Sequence, residues 1–324
     1  MRHFRVGFAV IAASVMVWGV PAFGAAEPAH AVKVTVLSTM LVGDFRRGIG
    51  EWGFAALLEV DGRRLLIDTG ERPETVLRNA LELGIDLSDV TDLVITHNHI
   101  DHTAGLVTLR RELAKKNARA LSRAHVARGI FDRRPGPNGS EGNGLLPLKA
   151  AYEALGGVFV EHAGPTELVP AVWLTGPVPR QYPERNWSGA GRVQTTGGLV
   201  EDTIPEDASV IVDTAEGLVV VSGCGHAGVI NTIEYARKVV RNAPVLAAVG
   251  GFHLFAASDE TLEWTGNKLK EFGVRYLLGA HCTGLEAVYR LRNMLGLTRK
   301  TAVVGAVGSS FTLDSGISAL SLAG

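Results

Sequence analysis

The segment Leu93–Gly105, LVITHNHIDHTAG, constrains this chain more than any other. An aliphatic, strand-like run ends at His97, and the period-two alternation of an extended backbone puts His97 and His99 on one side. Asp101 and His102 follow where the next helix opens. Four ligand-type side chains thus fall within six residues and can converge on one pocket without a long loop being ordered. Imidazole with carboxylate suits zinc and its borderline neighbours better than calcium or magnesium.

The rest of the chain alternates between strand and helix signals. Short β-branched runs bounded by Gly, Asp or Pro predict strands at Val32–Leu37, Phe54–Val60, Leu65–Ile67, Leu93–Thr96, Val158–Val160 and Val172–Leu174. Later ones fall at Val210–Val212, Leu218–Val221, Val245–Val249, Tyr276–Leu278 and Ala302–Val304. Helical periodicity appears at Pro73–Leu83, Thr103–Lys116, Pro147–Leu155, Val229–Val240, Asp259–Phe272 and Leu285–Leu295. Two stretches, Arg133–Gly144 and Gly176–Asp207, read as long loops, and loops of that length in a compact domain are usually functional. With no internal repeat, one α/β domain is the simplest account.

At the N-terminus, Arg2 and Arg5 precede an uncharged run from Val6 to Val20, followed by small residues at Ala22, Gly24, Ala25 and Ala26. That pattern predicts a secretory signal peptide over residues 1–24, with cleavage after Gly24 or, alternatively, after Ala31. The apolar run is shorter than the roughly 20 residues of a comfortable membrane span. The mature protein is therefore expected to be exported, periplasmic or secreted, without a membrane anchor. Removing Arg2 and Arg5 leaves 30 basic against 33 acidic side chains, a net charge of −3. A coat for nucleic acid carries a basic excess, so nucleic acid is not an expected partner. The two cysteines cannot make a zinc-ribbon set.

Of ten histidines, His125 and His162 stand alone and read as surface or internally satisfied residues. His226, His253 and His281 lie instead in Gly-rich, strand-terminal segments. In this context THNHIDHTAG resembles the signature of the metallo-β-lactamase fold superfamily, and IDTG at Ile67–Gly70 resembles its upstream Asp motif. SGCGHAGVIN (Ser222–Asn231), GGFHL (Gly250–Leu254), GAHCTG (Gly279–Gly284) and EWGFAALLEV from Glu51 resemble the branch that includes the archaeal dihydropterin aminobenzene phosphate synthases. The likeness runs from about Val34 to Phe311, within a domain placed at residues 32–314.

The resemblance implies a four-layer αββα sandwich with a dinuclear metal site at one edge of its sheets. By the same resemblance His97 and His99 hold one metal, Asp101 and His102 the other, and His281 is the last ligand of the second. The superfamily's Gly-His-Thr segment is absent, so His226 is the candidate third ligand of the first metal. Cys224 stands where many relatives place a bridging Asp. It is open whether it is a thiolate ligand, a free buried thiol or the disulfide partner of Cys282. Asp68 is expected to orient the histidine loop by hydrogen bonds rather than bind metal. His253 is a candidate for proton transfer or substrate binding.

Two zinc-like ions, with manganese or iron as alternatives, would lower the pKa of a bound water and polarise a carbonyl or phosphoryl oxygen. Asp101 would accept a hydrogen bond from the nucleophile while ligating. The expected activity is metal-assisted hydrolysis of an ester, amide, lactone, thioester or phosphoester in a small molecule. A redox di-iron relative would show Glu where His99 stands. The branch also implies group transfer with pyrophosphate release, which export disfavours. A non-catalytic metal-binding protein is the rival from another class. Arg180, Arg185 and Arg192, with Tyr182 and Trp187, suggest either a clamp for an anionic, ring-bearing ligand or a solvated loop.

Overall fold

The computed structural model describes residues 27–136 and 138–323, so the expected signal segment lies outside the described residues. The first half of the chain lays down β1 (Val32–Ser38), β2 (Ala55–Val60), β3 (Arg63–Ile67), β4 (Asp92–Ile95), β5 (Arg123–Ala127) and β6 (Val158–His162). Between them run the helices α1 (Thr75–Glu82), α2 (Ile100–Thr103), α3 (Leu106–Ala114) and α4 (Leu145–Ala154). The second half adds β7 (Thr166–Val169), β8 (Val172–Leu174), β9 (Arg192–Thr195), β10 (Gly198–Glu201), β11 (Ser209–Thr214) and β12 (Gly217–Ser222). There follow α5 (Val229–Val239), β13 (Val245–Gly250), α6 (Asp259–Glu271), β14 (Tyr276–Gly279), α7 (Leu285–Met294), β15 (Ala302–Val304), β16 (Ser310–Thr312), β17 (Gly316–Ser318) and α8 (Leu320–Ala323).

Two large sheets result. One runs β17-β16-β1-β2-β3-β4-β5-β6 and the other β15-β14-β13-β12-β11-β8-β7. Strand alternation divides the apolar residues between faces. In β2, Ala56 and Leu58 point inward and pack with Val210, Val212, Val219 and Val249 of the other sheet. Ala55 and Leu57 point outward to meet Val76 of α1 and Leu106 and Leu109 of α3. On the second sheet, Ile211, Leu218 and Val220 face Ile230 and Ile233 of α5, Leu269 of α6 and Leu291 of α7. Helix, sheet, sheet and helix stack as an αββα sandwich, the expected fold class.

The departures from the expected elements are local. The helix expected from Thr103 starts earlier, as α2 at Ile100, breaks at Ala104 and Gly105 and resumes as α3 to Ala114, and the Gly176–Asp207 stretch contains the β9–β10 hairpin. Strands β5, β7, β16 and β17 carry too few β-branched residues, or are too short, for the sequence pattern to announce them.

Register positions the site. Ser222 of β12, Gly250 of β13 and Gly279 of β14 are aligned neighbours across parallel strands, so their following loops leave one edge together. In the other sheet Ile67 of β3 pairs with Val94 of β4, which brings Asp68 beside Thr96 and His97. Loops at the carboxyl ends of parallel strands are where α/β sheets build sites.

Candidate metal centre

His97, His99, Asp101 and His102 come from the β4–α2 junction, His226 and Cys224 from the loop after β12, and His253 from the loop after β13. His281 and Cys282 follow β14. These segments meet. Donor atoms of His97, His99 and His226 lie within 4.8 Å of one another, as do those of Asp101, His102 and His281. Cys224 falls within the same span of His97 and His102, and also of His253 and Cys282.

Several of these atoms are hydrogen-bonded on the side away from the centre and unpartnered toward it. His102 Nδ1 lies 2.8 Å from Asp68 Oδ2, and His226 Nδ1 lies 2.5 Å from the Asn186 carbonyl oxygen. Thr96 Oγ1 is 3.1 Å from His97 Nδ1. The Nε2 atoms of His97, His102 and His226 and both ring nitrogens of His281 are buried without a hydrogen-bond partner. A buried polar atom left unpaired costs about 1–3 kcal/mol, and convergent imidazole nitrogens backed by outward hydrogen bonds are the arrangement of a metal site. The residues therefore fit divalent metal.

Burial holds His97 and His226 well below the ordinary imidazole range and His99 at about 4, so these rings stay in the neutral, ligating form. Burial opposes the charge of Asp101 too, but His102 and His281 beside it pull its carboxyl well below the usual range. Burial also works against charge on His281, yet Cys282 and the carboxylate 3.3 Å away push it up to about 10. A cation held by His281 would have to displace that proton.

Asp68 is a member of none of these donor groups and reaches them only through His102 Nδ1. It is fully buried, with Oδ1 accepting from Thr96 N and Oδ2 from Thr96 Oγ1, each at 2.8 Å. Asp68→Asn would turn an amide N–H toward His102 Nδ1 or Thr96 Oγ1. It is expected to weaken divalent-metal affinity about 10–100-fold, checked by competition with a chromophoric chelator. Unchanged affinity would refute the orienting role.

The two thiols are free, with Sγ atoms 3.0 Å apart, so no disulfide joins Cys224 to Cys282. Cys224 Sγ also lies 3.3 Å from His253 Nδ1. His253 sits at the rim, 4.5 Å ring to ring from His226 and 5.3 Å from Phe255. Trp52 completes the circuit, 5.6 Å from Phe255 and 4.9 Å from His281.

Outside the centre, His125 and His162 satisfy one another at 3.0 Å, with Asp92 on the far side of His125. The three arginines of the long loop each bond within it, Arg180 half-buried and Arg185 and Arg192 still exposed to solvent. Arg180 donates to the carbonyls of Thr203 and Ile204, Arg185 to Glu201, and Arg192 to the Gly191 carbonyl.

Sequence reasoning passed over four supports. Asn186 holds His226 through a backbone carbonyl, which no residue type announces. Buried Asp207 accepts from Ala227 N and pins the Cys224–His226 turn. Thr39 Oγ1 accepts from His281 N across 242 residues of chain. Glu51 accepts from Ser38 Oγ and from the Glu71 and Arg72 backbone, fixing the turn that presents Trp52. Only Glu51 left a trace, as part of the EWGF segment.

Residues 53–237 match the family model of the metallo-beta-lactamase superfamily. The chain is 29% identical over 264 residues to the 7,8-dihydropterin-6-methyl-4-(beta-D-ribofuranosyl)-aminobenzene-5'-phosphate synthase of Methanocaldococcus jannaschii, covering 79% of this chain and 89% of that one. It is 28% identical to a second, uncharacterised protein of the same organism, MJ0448, covering 81% and 94%. Among solved structures, Tm1679, described as a metal-dependent hydrolase of the beta-lactamase superfamily, superposes with a TM-score of 0.68 at 27% identity, covering 86% and 98%. With its layers, its strand-end histidines and more than half its length matching that family, the chain belongs to the metallo-β-lactamase superfamily.

Proposed function

We propose that this chain is an exported metallohydrolase that uses a dinuclear centre, most naturally zinc, to cleave an ester, amide, lactone, thioester or phosphoester bond of a small molecule. The observation that carries the reading is the set of buried, unpartnered ring nitrogens from three separate loops, with Asp101 among them. In this assignment His97, His99 and His226 hold one ion and Asp101, His102 and His281 the other. The ions, when bound, supply Lewis acidity and an acidified water. Asp101 orients the attacking water by accepting its hydrogen bond, and its negative charge offsets that of the cations. His253, at the rim, carries a proton to the leaving group. Asp68 and the Asn186 carbonyl keep His102 and His226 aimed inward.

Elemental analysis of the purified mature protein, paired with a hydrolase substrate panel before and after chelation, tests the proposal. About two divalent ions per chain and turnover that disappears on chelation are expected. Metal removal that lowers stability while no substrate is ever turned over would instead establish the non-catalytic reading. The 29% identity to the synthase favours group transfer as a second reading. Pyrophosphate release from a diphosphate ester, with the organic group joined to an added nucleophile and solvent oxygen in neither product, would mark that outcome.

Two narrower predictions accompany the assignment. His102→Ala should lower bound metal from about two ions per chain to about one, and unchanged stoichiometry would remove His102 from the ligand set. Cys224, which faces His97 and His102, is proposed as a donor, whereas Cys282 is not. Cys224→Ser should therefore weaken binding of one ion and Cys282→Ser should leave it intact, both read by metal titration. Equal effects of the two substitutions would reject that distinction.

Export rests on the N-terminal sequence. Ala29 donates its N–H to the Asp213 carbonyl, and the backbones of His30 and Ala31 bond to Asp61. Those contacts support cleavage after Gly24 over cleavage after Ala31. N-terminal sequencing of protein recovered from the exported fraction should begin at Ala25, and a chain retained in the cell with Met1 intact would overturn export.

A further inference from the structure

A cavity of about 530 Å³ opens beside the histidine centre, within the 300–1,000 Å³ range of small-molecule sites. Asn186 and His253 lie at the end that meets His226, and Trp187, Phe255 and Trp264 line it. Phe255 is 52% exposed, a large apolar ring held edge-on against Trp52 and His253 at the mouth of the cavity.

The charges on this lining are arranged against an anion. Among the described residues that line it, the acids and bases other than His253 are Glu184, Arg185 and Glu260. Arg185 is bonded to Glu201 at 2.8 Å and lies over the Trp187 ring at 5.2 Å, while Arg180 lies 5.5 Å from the same ring. Helix α6 begins at the cavity wall with Asp259 and Glu260 in its first turn, which cancels the attraction a helix N-terminus offers to negative charge. The Glu184 carboxylate accepts from Ile230 N and Asn231 N, so the start of α5 is already capped.

From this we infer that the cavity receives an uncharged, ring-bearing arm of the substrate, aryl or fused-ring, and discriminates against the same ring carrying a sulfonate, carboxylate or phosphate. The inference deepens the hydrolase proposal, on which it rests for which bond is cut. Ring binding itself is read separately.

The test is calorimetric titration of the zinc-loaded mature chain with 2-naphthol and with 2-naphthalenesulfonate, followed by assay of 2-naphthyl acetate. The neutral naphthol is expected to bind at least about 10-fold more tightly than the sulfonate. Phe255→Ala and Trp264→Ala should each weaken naphthol binding about 5–10-fold. Phe255 is exposed, so its truncation leaves the fold intact and keeps the test decisive even if the Trp264 variant fails to fold. Equal or tighter binding of the sulfonate, above all if lost on Arg185→Gln, overturns the inference in favour of an anion clamp. Naphthol affinity untouched by Phe255→Ala also overturns it. Should naphthol bind as expected while the ester is not hydrolysed, the hydrolase reading weakens and the pocket assignment stands.

Discussion

Asp101→Asn is expected to lower turnover by about 10²–10⁴-fold while leaving the protein folded. The substitution keeps shape and removes charge, and charge is what this position supplies. Asp101 approaches His281 Nε2 at 3.3 Å and His102 Nε2 at 3.7 Å, from a side chain 16% exposed at the mouth of the centre. In the proposed dinuclear centre the histidines would ligate as neutral imidazoles, so the Asp101 carboxylate, with Cys224 bound as thiolate, would carry the anionic compensation. An asparagine oxygen can still touch a cation, but weakly, and its amide nitrogen cannot accept a hydrogen bond from an attacking water. Metal content should fall toward one ion per chain, read by elemental analysis beside steady-state kinetics. Wild-type turnover with two ions bound would show that Asp101 neither ligates nor orients the nucleophile. Chelator-resistant activity in the parent protein would remove the premise altogether.

The legibility of this centre follows from how its parts are encoded. His97, His99, Asp101 and His102 fall within six residues, and a strand feeding a helix can present them in few ways, so their meeting was readable from spacing. His226 and His281 are distant in sequence. Their candidacy as ligands came from the resemblance, and the register Ser222–Gly250–Gly279 is what gathers their Gly-rich strand ends at one edge. The four layers were implied by the resemblance, whereas the sequence pattern showed only alternating strands and helices; β2 and β12 are near-continuous apolar runs buried on both faces, which does not tell an inner set from an outer one. What stayed hidden acts through the backbone or through lone polar residues. Asn186 contributes a carbonyl and Asp207 a single bond to Ala227 N, and neither residue type at an isolated position marks a role. The arginines of the long loop show the converse. Residue type suggested a clamp, but Glu201 and the carbonyls of Thr203 and Ile204 lie close enough to take them up, which no spacing rule conveys.

Gly250→Ala is expected to be the most destabilising single-methyl addition at this edge, lowering stability by about 3 kcal/mol or more. Gly250 ends β13 at φ +113°, a backbone region closed to most side chains, and a Cβ there would lie 1.9 Å from the Ser222 carbonyl oxygen and 3.2 Å from Phe54. That oxygen accepts from Gly251 N at 3.0 Å, and the Gly250 carbonyl accepts from Ala280 N at 2.8 Å and Thr283 Oγ1 at 2.9 Å. The residue thus joins the strand ends that carry Cys224, His226 and His281, and displacing it moves all three. A melting temperature lower by about 6–12 °C, together with weakened metal binding, is the expected pair of results. Gly62→Ala supplies the control. Gly62 also has positive φ, +78°, but a Cβ there meets nothing within 4 Å, so only backbone strain of about 1–2 kcal/mol is added. Metal affinity should survive in that variant. If the two substitutions proved equally mild, the close approach at Ser222 would not be what holds the three strand ends in register, and the geometry of the centre would need another support.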